Sequence, residues 1–236
     1  MKISVIIPVH QENLNYFKET VESVINQTLN KKYYEIIIID DGSKPALNYS
    51  FSNTKGIEIK HIRNEKNMGV SYSWNKGIRK SKGNVICLLG SDDLWMPEKL
   101  EKQMLMAKKY PNYILHGNAI EIDENGKEIY KTTLQDYTLE EYKERAKQPY
   151  GFYYTCSFWI PKKIFDEVGL FNESIKYSED YEWVLRAILL HDIKFKLMKD
   201  ILMKKRRKLD SLTYKNKDNM LNHAEEIRKS IIARIK

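Results

Sequence analysis

Short apolar runs alternate with helix-forming segments along the first half of the chain. Ile3–Val9, Tyr34–Ile39 and Val85–Leu89 are continuous apolar runs, which is typical of strands buried on both faces of a sheet. Ile57–Ile62 alternates apolar and polar residues and predicts a less buried strand. Helices are predicted where apolar residues recur at helical spacing: 14–25, 71–80 and 97–109. The order βαββαβα predicts an α/β fold, a mostly parallel sheet with helices on its faces.

The second half of the chain has a different pattern. Tyr113–Ile122 and Glu128–Thr132 lie on either side of Asn125-Gly126, and this dipeptide predicts a β-hairpin. Tyr150–Trp159 is crowded with aromatic residues, which either stack on a sugar or pack in a core, and we favour core packing. Tyr181–Leu190 has the apolar spacing of a helix.

The C-terminal segment combines an apolar stripe with most of the positive charge. Twelve Lys and Arg and five acidic residues lie between Lys199 and Lys236, so this segment carries +7 of the net charge of +8. We expect a basic amphipathic helical tail over residues 213–236 that packs on the body or a second subunit, or docks on an anionic membrane surface. A nucleic-acid partner is not expected. The stripe consists of Met220, Leu221, Ala224, Ile227, Ile231 and Ile235.

The composition is that of a folded globular protein. The 236 residues are 42% hydrophobic and 31% charged. The first apolar run ends at Pro8 and is too short for a signal peptide, and no run approaches the roughly 20 apolar residues of a membrane span. We therefore expect a cytoplasmic protein, peripheral at the inner face of the membrane if the tail docks there. Cys87 and Cys156 are isolated in apolar sequence, which predicts reduced, buried thiols.

Three of the apolar runs end in polar, mostly acidic clusters. These are His10-Gln11-Glu12, Asp40-Asp41-Gly42-Ser43 and Gly90-Ser91-Asp92-Asp93. The carboxyl ends of parallel strands meet at one edge of a sheet, so these clusters are expected to share one crevice. Gathered carboxylates repel one another unless a cation or hydrogen-bond donors compensate them, which predicts a divalent metal and a phosphorylated ligand. Dinucleotide, P-loop and zinc motifs are absent from the sequence.

Several segments resemble the motifs of family 2 glycosyltransferases with the GT-A fold. Ser4–Val9, Ser23–Thr28 and Glu35–Ser43 are similar to the opening of such an enzyme. The resemblance spans roughly residues 2–190 and implies a Rossmann-like, mostly parallel sheet flanked by helices. Its later motifs are Asn67-Met68-Gly69, Asn75-Lys76-Gly77-Ile78, Lys82-Gly83, Leu88–Asp93, Pro97–Leu100, Gly169–Glu173 and Ser178–Arg186.

The resemblance also implies roles for individual residues. Asp41 would accept a hydrogen bond from uracil N3, while Asp92 and Asp93 would bind Mn²⁺ or Mg²⁺ at the diphosphate. Glu179-Asp180 resembles the catalytic pair, in which Asp180 takes the proton of the acceptor hydroxyl. The residues implied in binding the nucleotide sugar are Pro8, Val9, His10, Glu12, Asp40, Asp41 and Asp92. By chemistry alone, the same acids could form a turn or cap helices.

The chain departs from the family pattern at several positions. The tyrosine that usually follows the first strand is His10, and Gln11 replaces an asparagine. The first acid of the usual D-x-D motif is Gly90. Near residues 206–212, where many relatives carry a histidine, this chain has Arg207 and Lys208, which could bind the diphosphate directly.

The sequence therefore predicts an inverting, metal-dependent glycosyltransferase of the hexosyltransferase type. Its donor would be a nucleotide sugar, UDP-linked, and its acceptor a hydroxyl of a polysaccharide, a lipid-linked glycan or a protein glycan. One alternative is a Mg²⁺-dependent phosphotransferase or phosphatase that uses Asp40-Asp41-Gly42-Ser43 as its aspartyl site. Another is a non-catalytic sugar- or membrane-binding module on a degenerate GT-A fold. We expect a GT-A domain over residues 1–212, with a nucleotide-binding half (1–93) and an acceptor half (94–212).

Overall fold

A computed structural model defines the fold of residues 1–49, 51, 54–148, 153–208 and 217–235. The strands are β1 (Ile3–Val9), β2 (Tyr34–Asp40), β3 (Glu58–Arg63), β4 (Val85–Leu88), β5 (Leu94–Trp95), β6 (Ile114–Ile122), β7 (Glu128–Lys131), β8 (Ile160–Pro161) and β9 (Phe195–Arg206). The helices are α1 (Leu14–Ile25), α2 (Val70–Lys80), α3 (Lys99–Lys109), α4 (Leu139–Ala146), α5 (Lys163–Val168), α6 (Glu179–Leu189) and α7 (Lys217–Ile232). The predicted α/β order of the first half is confirmed.

The first sheet has the strand order β3-β2-β1-β4-β8. The pairs β1–β2, β1–β4 and β2–β3 are parallel, and β8 adds an antiparallel edge to β4. All seven residues of β2 are buried, which explains the continuous apolar run in its sequence. The predicted mostly parallel sheet is thus confirmed, and the carboxyl ends of β1, β2 and β4 lie at one edge.

The second sheet has the order β5-β9-β6-β7. The predicted hairpin is confirmed as the antiparallel pair β6–β7, with Gly126 in the turn at a φ of 83°. The sequence analysis missed β9, which pairs in parallel with β6. The register shifts beside Gly117 and Asn118 leave Lys199, Asp200 and Leu202 of β9 without partners in β6, so the alternation of apolar and polar residues is interrupted.

Two apolar clusters lie on the two faces of the first sheet, because side chains of a strand alternate in direction. Phe17 and Val21 of α1 pack with Val5 on one face. Trp74 of α2 and Trp183 of α6 pack with the opposite face. The buried Phe158 and Trp159 confirm core packing for that end of the aromatic segment, whereas residues 149–152 lie outside the described residues.

Two helices, α3 and α7, differ in part from the predictions. α3 begins at Lys99 rather than at Pro97, and Glu98 is its N-cap residue. α7 is the predicted tail helix, but its basic character is not confirmed, because three acidic residues balance its three Lys and Arg. Ile227 and Ile231 of this helix are buried in the cluster around Trp183, so part of the apolar stripe packs on the body.

Other expectations concern boundaries, cysteines and membranes. The first sheet is built mainly from residues before Leu94, and the second sheet from residues that begin there. The two are connected because β8 follows Leu94 in sequence but pairs in the first sheet, and because Leu115 of β6 forms a bridge to Trp159 beside β8. The boundary expected after residue 212 lies outside the described residues. Cys87 and Cys156 are both free, as predicted, and Cys87 is buried, whereas Cys156 is only partly buried. Across the described residues, none of the helices combines the length and the apolar character that crossing a bilayer requires.

Candidate functional site

Asp40, the last residue of β2, supports the loop that follows the strand. It is fully buried, and its carboxylate accepts hydrogen bonds from the N–H groups of Ser43 (2.9 Å) and Leu47 (3.2 Å) and from the Arg63 guanidinium. Burial raises the pKa of Asp40, but these donors outweigh burial and hold the pKa below its usual range. Its implied contact with a nucleotide stays a prediction.

Asp41 joins the same loop to the start of α2. Its Oδ1 accepts hydrogen bonds from Asn64 Nδ2 (2.7 Å) and Met68 N (2.9 Å), and its Oδ2 accepts one from Gly69 N (2.9 Å). A carboxylate has about four acceptor positions, so three donors leave room for one more. A uracil N3–H could take that position, although only 4% of Asp41 is exposed. The Asp41 carboxylate would therefore both hold the loop before α2 in place and bind the base.

The end of β1 lies beside this loop. Pro8 and Val9 are its last residues, and the Val9 carbonyl accepts a hydrogen bond from Asp41 N (2.8 Å). His10 is exposed, and its Nδ1 lies 2.8 Å from the Asp41 carbonyl. Because a carbonyl only accepts, Nδ1 is the donor, and this fixes the ring with Nε2 directed away from the carbonyl. The ring thus occupies the position of the tyrosine in the family pattern.

The acidic loop after β4 places two carboxylates side by side. Asp93 is buried, and burial together with the charge of Asp92 raises its pKa to about 6. Asp93 Oδ1 accepts a hydrogen bond from Arg206 N (3.0 Å), and Asp92 Oδ2 lies 2.7 Å from Lys208 Nζ. The other two oxygens face the space over Gly90, where a side-chain Cβ would lie 3.4 Å from Asp92 Oδ1 and 3.3 Å from Asp93 Oδ2.

This arrangement bears on the predicted metal. Among the described residues, no group of three or more His, Cys, Asp or Glu is placed to hold a metal ion. Two carboxylate oxygens beside a residue without a side chain nevertheless fit a Mg²⁺ or Mn²⁺ ion that takes its remaining ligands from a diphosphate and water. Asp92 and Asp93 are therefore suited to a partial metal site, completed by the substrate.

Lys208 brings a positive charge to the acidic loop from the far end of the chain. Besides Asp92, its Nζ contacts both oxygens of Glu12, at 2.8 and 2.9 Å. Burial lowers the pKa of Lys208, but the hydrogen bonds that its ammonium donates to these two carboxylates outweigh burial and raise it. Glu12 also accepts a hydrogen bond from Ser91 Oγ (3.2 Å). The loops after β1 and β4 are thus held together by one ammonium group.

The neighbouring arginines have separate roles. Arg207 donates two hydrogen bonds to Glu121 (2.9 and 2.5 Å). Of the two cations expected near the diphosphate, Lys208 therefore contacts Asp92 and Arg207 does not. Arg206, which the sequence analysis did not single out, donates to the Asp92 and Glu124 carbonyls (both 3.0 Å). These contacts fix the backbone of the acidic loop. Arg206 had no distinguishing signal within a run of basic residues.

Glu179 and Asp180 are the first two residues of α6. Asp180 Oδ1 accepts a hydrogen bond from Tyr181 N (2.8 Å), and its Oδ2 accepts one from Thr155 Oγ1 (2.6 Å). Burial and the charge of Asp180 raise the pKa of Glu179 to about 7. Near neutral pH Glu179 is therefore partly protonated, which reduces the like charge beside Asp180. The N-cap residue is Ser178, so Asp180 lies inside the first turn.

A single turn of 3₁₀ helix, Thr155–Ser157, contacts both acidic groups. Thr155 donates to Asp180, and the Cys156 sulfur accepts a hydrogen bond from Gly90 N (3.3 Å). The structure thus brings the loop after β4 and the start of α6 to one turn. The sequence analysis missed these contacts, because nothing in an aromatic-rich segment distinguishes a threonine that touches the site.

Comparison with known proteins identifies the group to which the chain is similar. The model of the family described as Glycosyl transferase family 2 matches residues 4–169. The amylovoran biosynthesis glycosyltransferase AmsE of Erwinia amylovora is 30% identical over 211 residues, which cover 86% of this chain and 75% of that protein. An uncharacterized glycosyltransferase of Methanocaldococcus jannaschii is 29% identical over 95% of this chain and 74% of its own length.

Solved structures share the fold. S. aureus TarS 1–349 in complex with UDP-GlcNAc superposes with a TM-score of 0.74 at 16% identity, covering 100% of this chain and 68% of that one. The complex of the same protein with UDP gives the same TM-score. The predicted fold class is thereby confirmed. The chain spans 29%, 32% and 60% of the length of three Rickettsia relatives, from R. bellii, R. felis and R. typhi.

Proposed function

Because this chain belongs to glycosyl transferase family 2, we propose that it is an inverting, metal-dependent glycosyltransferase that uses a UDP-linked sugar. One observation carries the proposal. His10, Asp41 and the Asp92–Asp93 pair lie at the carboxyl ends of β1, β2 and β4, and the Thr155–Ser157 turn connects the acidic loop with Asp180. The fold is shared with a protein solved in complex with UDP-GlcNAc, which supports a donor of this class.

In the proposed reaction each residue has a distinct task. Asp41 accepts the N3–H of uracil, while Pro8, Val9 and His10 line the base and Glu12 and Asp92 lie toward the ribose and diphosphate. Asp180 accepts the proton of the acceptor hydroxyl as its oxygen bonds to the anomeric carbon. The bond from that carbon to the diphosphate oxygen breaks, and UDP departs with the electron pair. A single displacement of this kind inverts the anomeric configuration.

Asp92 and Asp93 would hold the divalent cation through the oxygens that face Gly90. When bound, Mg²⁺ or Mn²⁺ neutralises negative charge on the departing diphosphate. Lys208 lies against Asp92 and supplies positive charge at the same place. Its ammonium therefore contributes to binding the diphosphate in this proposal.

The acceptor and the location follow from the same proposal. A hydroxyl of a polysaccharide or of a lipid-linked glycan would enter on the side of Asp180, in the half formed by residues 94–212. Leu221 and Ile235 of the tail are exposed (50% and 41%) and would contact a membrane surface or a second copy of the chain. The proposed location is cytoplasmic, with the enzyme peripheral at the membrane where its acceptor is lipid-linked.

The phosphotransferase alternative is less consistent with the geometry. An aspartyl nucleophile must reach its substrate, but Asp40 is fully buried and both of its oxygens accept hydrogen bonds. The alternative of a non-catalytic module makes a different prediction, namely ligand binding without turnover.

A nucleotide-sugar assay tests the proposed function. UDP release is measured from UDP-GlcNAc, UDP-glucose and UDP-galactose, each with Mn²⁺ and with a chelator. We expect turnover of at least one sugar, and a fall of roughly 10²-fold or more in Asp180→Asn with UDP affinity retained. Asn preserves the shape of the side chain and an oxygen for the Tyr181 N–H. UDP binding without any turnover would favour the non-catalytic module, and phosphate release would favour the phosphatase.

A further inference from the structure

Asp180 is held from two sides, and one of its two partners is a side chain. Its Oδ1 accepts the N–H of its own neighbour Tyr181, which lies in the first turn of α6. Its Oδ2 accepts the hydroxyl of Thr155 at 2.6 Å, a contact between distant parts of the chain. We infer that Thr155 is a positioning residue for Asp180 in the transfer reaction, an inference that rests on the proposed function.

The turn that carries Thr155 is anchored on several elements. The carbonyl of Cys156 accepts a hydrogen bond from Trp95 Nε1 (2.8 Å), and that of Ser157 accepts one from Gln103 Nε2 (2.8 Å). Ser157 Oγ accepts a hydrogen bond from Gly117 N (3.2 Å). Since these partners belong to β5, α3 and β6, the turn stays in place when the Asp180 side chain rotates. Thr155 is itself 8% exposed, so water has little room to replace its hydroxyl.

Fixing both carboxylate oxygens determines where the unused lone pairs of Asp180 point. A general base works only when its oxygen is within hydrogen-bond reach of the proton that it removes. Without the Thr155 hydroxyl, the Tyr181 N–H is the one hydrogen-bond donor to this carboxylate left among the described residues, and Asp180 can turn away from the acceptor. The inferred task of Thr155 is therefore to keep one lone pair of Asp180 aimed at the acceptor hydroxyl.

The Thr155–Ser157 turn also contacts the loop that carries the proposed diphosphate site. Cys156 accepts the N–H of Gly90, whose neighbours Asp92 and Asp93 face the diphosphate in the proposed function. Two consecutive residues, Thr155 and Cys156, thus set the spacing between the base and the leaving group. A site assembled on one rigid turn keeps this spacing as substrates enter and leave.

Two substitutions at one position test the inference. Thr155→Val removes the hydroxyl but keeps the branched shape, whereas Thr155→Ser keeps the hydroxyl. We expect kcat of Thr155→Val to fall about tenfold or more with the panel sugar that the wild type turns over fastest, since misorientation of a reacting group is costly. UDP affinity, measured by calorimetry, should be unchanged. Thr155→Ser should restore most of kcat.

A pH profile separates positioning from simple damage. A hydroxyl that donates to a carboxylate favours its ionised form, so the acid limb of the kcat/KM profile should move to higher pH in Thr155→Val and return in Thr155→Ser. Ser157→Ala is the matched control in the same turn, because the Ser157 hydroxyl contacts only the backbone of Tyr154 and Gly117. It should lower the melting temperature and leave the acid limb in place.

The outcomes distinguish this inference from the proposed function. A Thr155→Val enzyme with wild-type kcat and an unmoved acid limb would overturn the inference while the proposed function stands. Equal losses in Thr155→Val and Ser157→Ala would overturn it as well, because they would indicate a damaged turn. A wild-type chain without turnover of any panel sugar would remove the proposed function and this inference with it. Should Thr155→Val not fold, Thr155→Ala is judged by the same criteria.

Discussion

Donors and cations surround most carboxylates of the site. Asp40 has the Arg63 guanidinium, Asp41 has two backbone amides and an asparagine, and Asp92 has the Lys208 ammonium. Glu179 has no described cation at hydrogen-bond distance and instead has a raised pKa. Asp40, Asp41 and Asp92 are thus already compensated before any substrate or metal enters.

Asp41→Ala tests the residue assigned to the base. The substitution removes the implied partner of uracil N3. It also leaves the Met68 N–H without its acceptor and the Gly69 N–H with Asn67 Oδ1 in place of Asp41. We expect UDP affinity to fall more than roughly tenfold and the melting temperature to fall as well. Calorimetry with UDP and thermal denaturation measure the two effects.

Asn64→Ala is the control for Asp41→Ala. It removes one donor from Asp41 and weakens the same loop, but it keeps the carboxylate. We expect a lower melting temperature with nearly normal UDP affinity. Equal losses of UDP affinity in the two variants would show that Asp41 acts only by shaping the loop.

The raised pKa of Glu179 makes the stability of the folded chain depend on pH. Its folded-state pKa of about 7 lies above the ordinary value of 4.5, so the folded chain binds this proton more tightly than the unfolded chain. The resulting stabilisation is complete below about pH 4.5 and is lost as the pH rises through 7. Relative to the wild type, Glu179→Gln should therefore gain in melting temperature between pH 5 and pH 8. An unchanged difference across this range would contradict the raised pKa.

Elements of regular pattern were predictable, and elements that depend on distant partners were not. β1, β2 and β4 are buried on both faces, so their sequences are continuous apolar runs. β9 escaped prediction because its register shift interrupts the alternation. The acids of the site were named from the family resemblance, and Lys208 was named as a possible diphosphate ligand. The contacts of Lys208 with Asp92 and Glu12 and that of Thr155 with Asp180 were not predicted, since such contacts depend on tertiary packing.

The tail helix is an element whose two faces should respond differently to substitution. Ile227 is buried against the cluster around Trp183, whereas Leu221 is half exposed. We expect Ile227→Ala to destabilise the protein by about 2–5 kcal/mol and Leu221→Ala to change stability little. Chemical denaturation of both variants measures the difference.

The same pair addresses the predicted membrane contact. The helix also touches the segment before α6, since His223 Nδ1 donates to the Tyr177 carbonyl (2.9 Å), so Ile227→Ala should lower transfer as well. If the exposed face binds an anionic surface, Leu221→Ala should sediment less with phosphatidylserine liposomes while remaining fully active on soluble acceptors. Equal sedimentation of wild type and Leu221→Ala would argue against docking through this face.

At the scale of the whole molecule, most of the excess positive charge lies on residues 199–208, whose last residue contacts the acidic loop. α7 is neutral by composition, so +5 of the +7 carried by the C-terminal segment lies on residues 199–208 and the remaining +2 on Arg234 and Lys236. Lys208, at the end of this stretch, sits against Asp92 and Glu12. The charge asymmetry seen in the sequence thus serves the acidic loop at least in part, rather than the tail helix.

Lys208→Met tests whether this charge competes with a metal. Removing the ammonium frees Asp92 Oδ2, so Mn²⁺ should bind several-fold more tightly in calorimetry without nucleotide, and UDP should bind more weakly without metal. Lys204→Met is the control, because it changes the net charge equally but pairs with Glu128. Unchanged or weaker Mn²⁺ binding in Lys208→Met alone would exclude the competition.

The position of β9 has a consequence for how the protein is made. This strand lies between β5 and β6, so the centre of the second sheet consists of residues that leave the ribosome after both of its neighbours. Arg206 at its end then closes over the acidic loop, which was synthesised more than a hundred residues earlier. Nascent chains that end before β9 expose the inner edges of β5 and β6, which are free to pair with another chain. Stalled or truncated products are therefore the forms of this protein that we expect to aggregate.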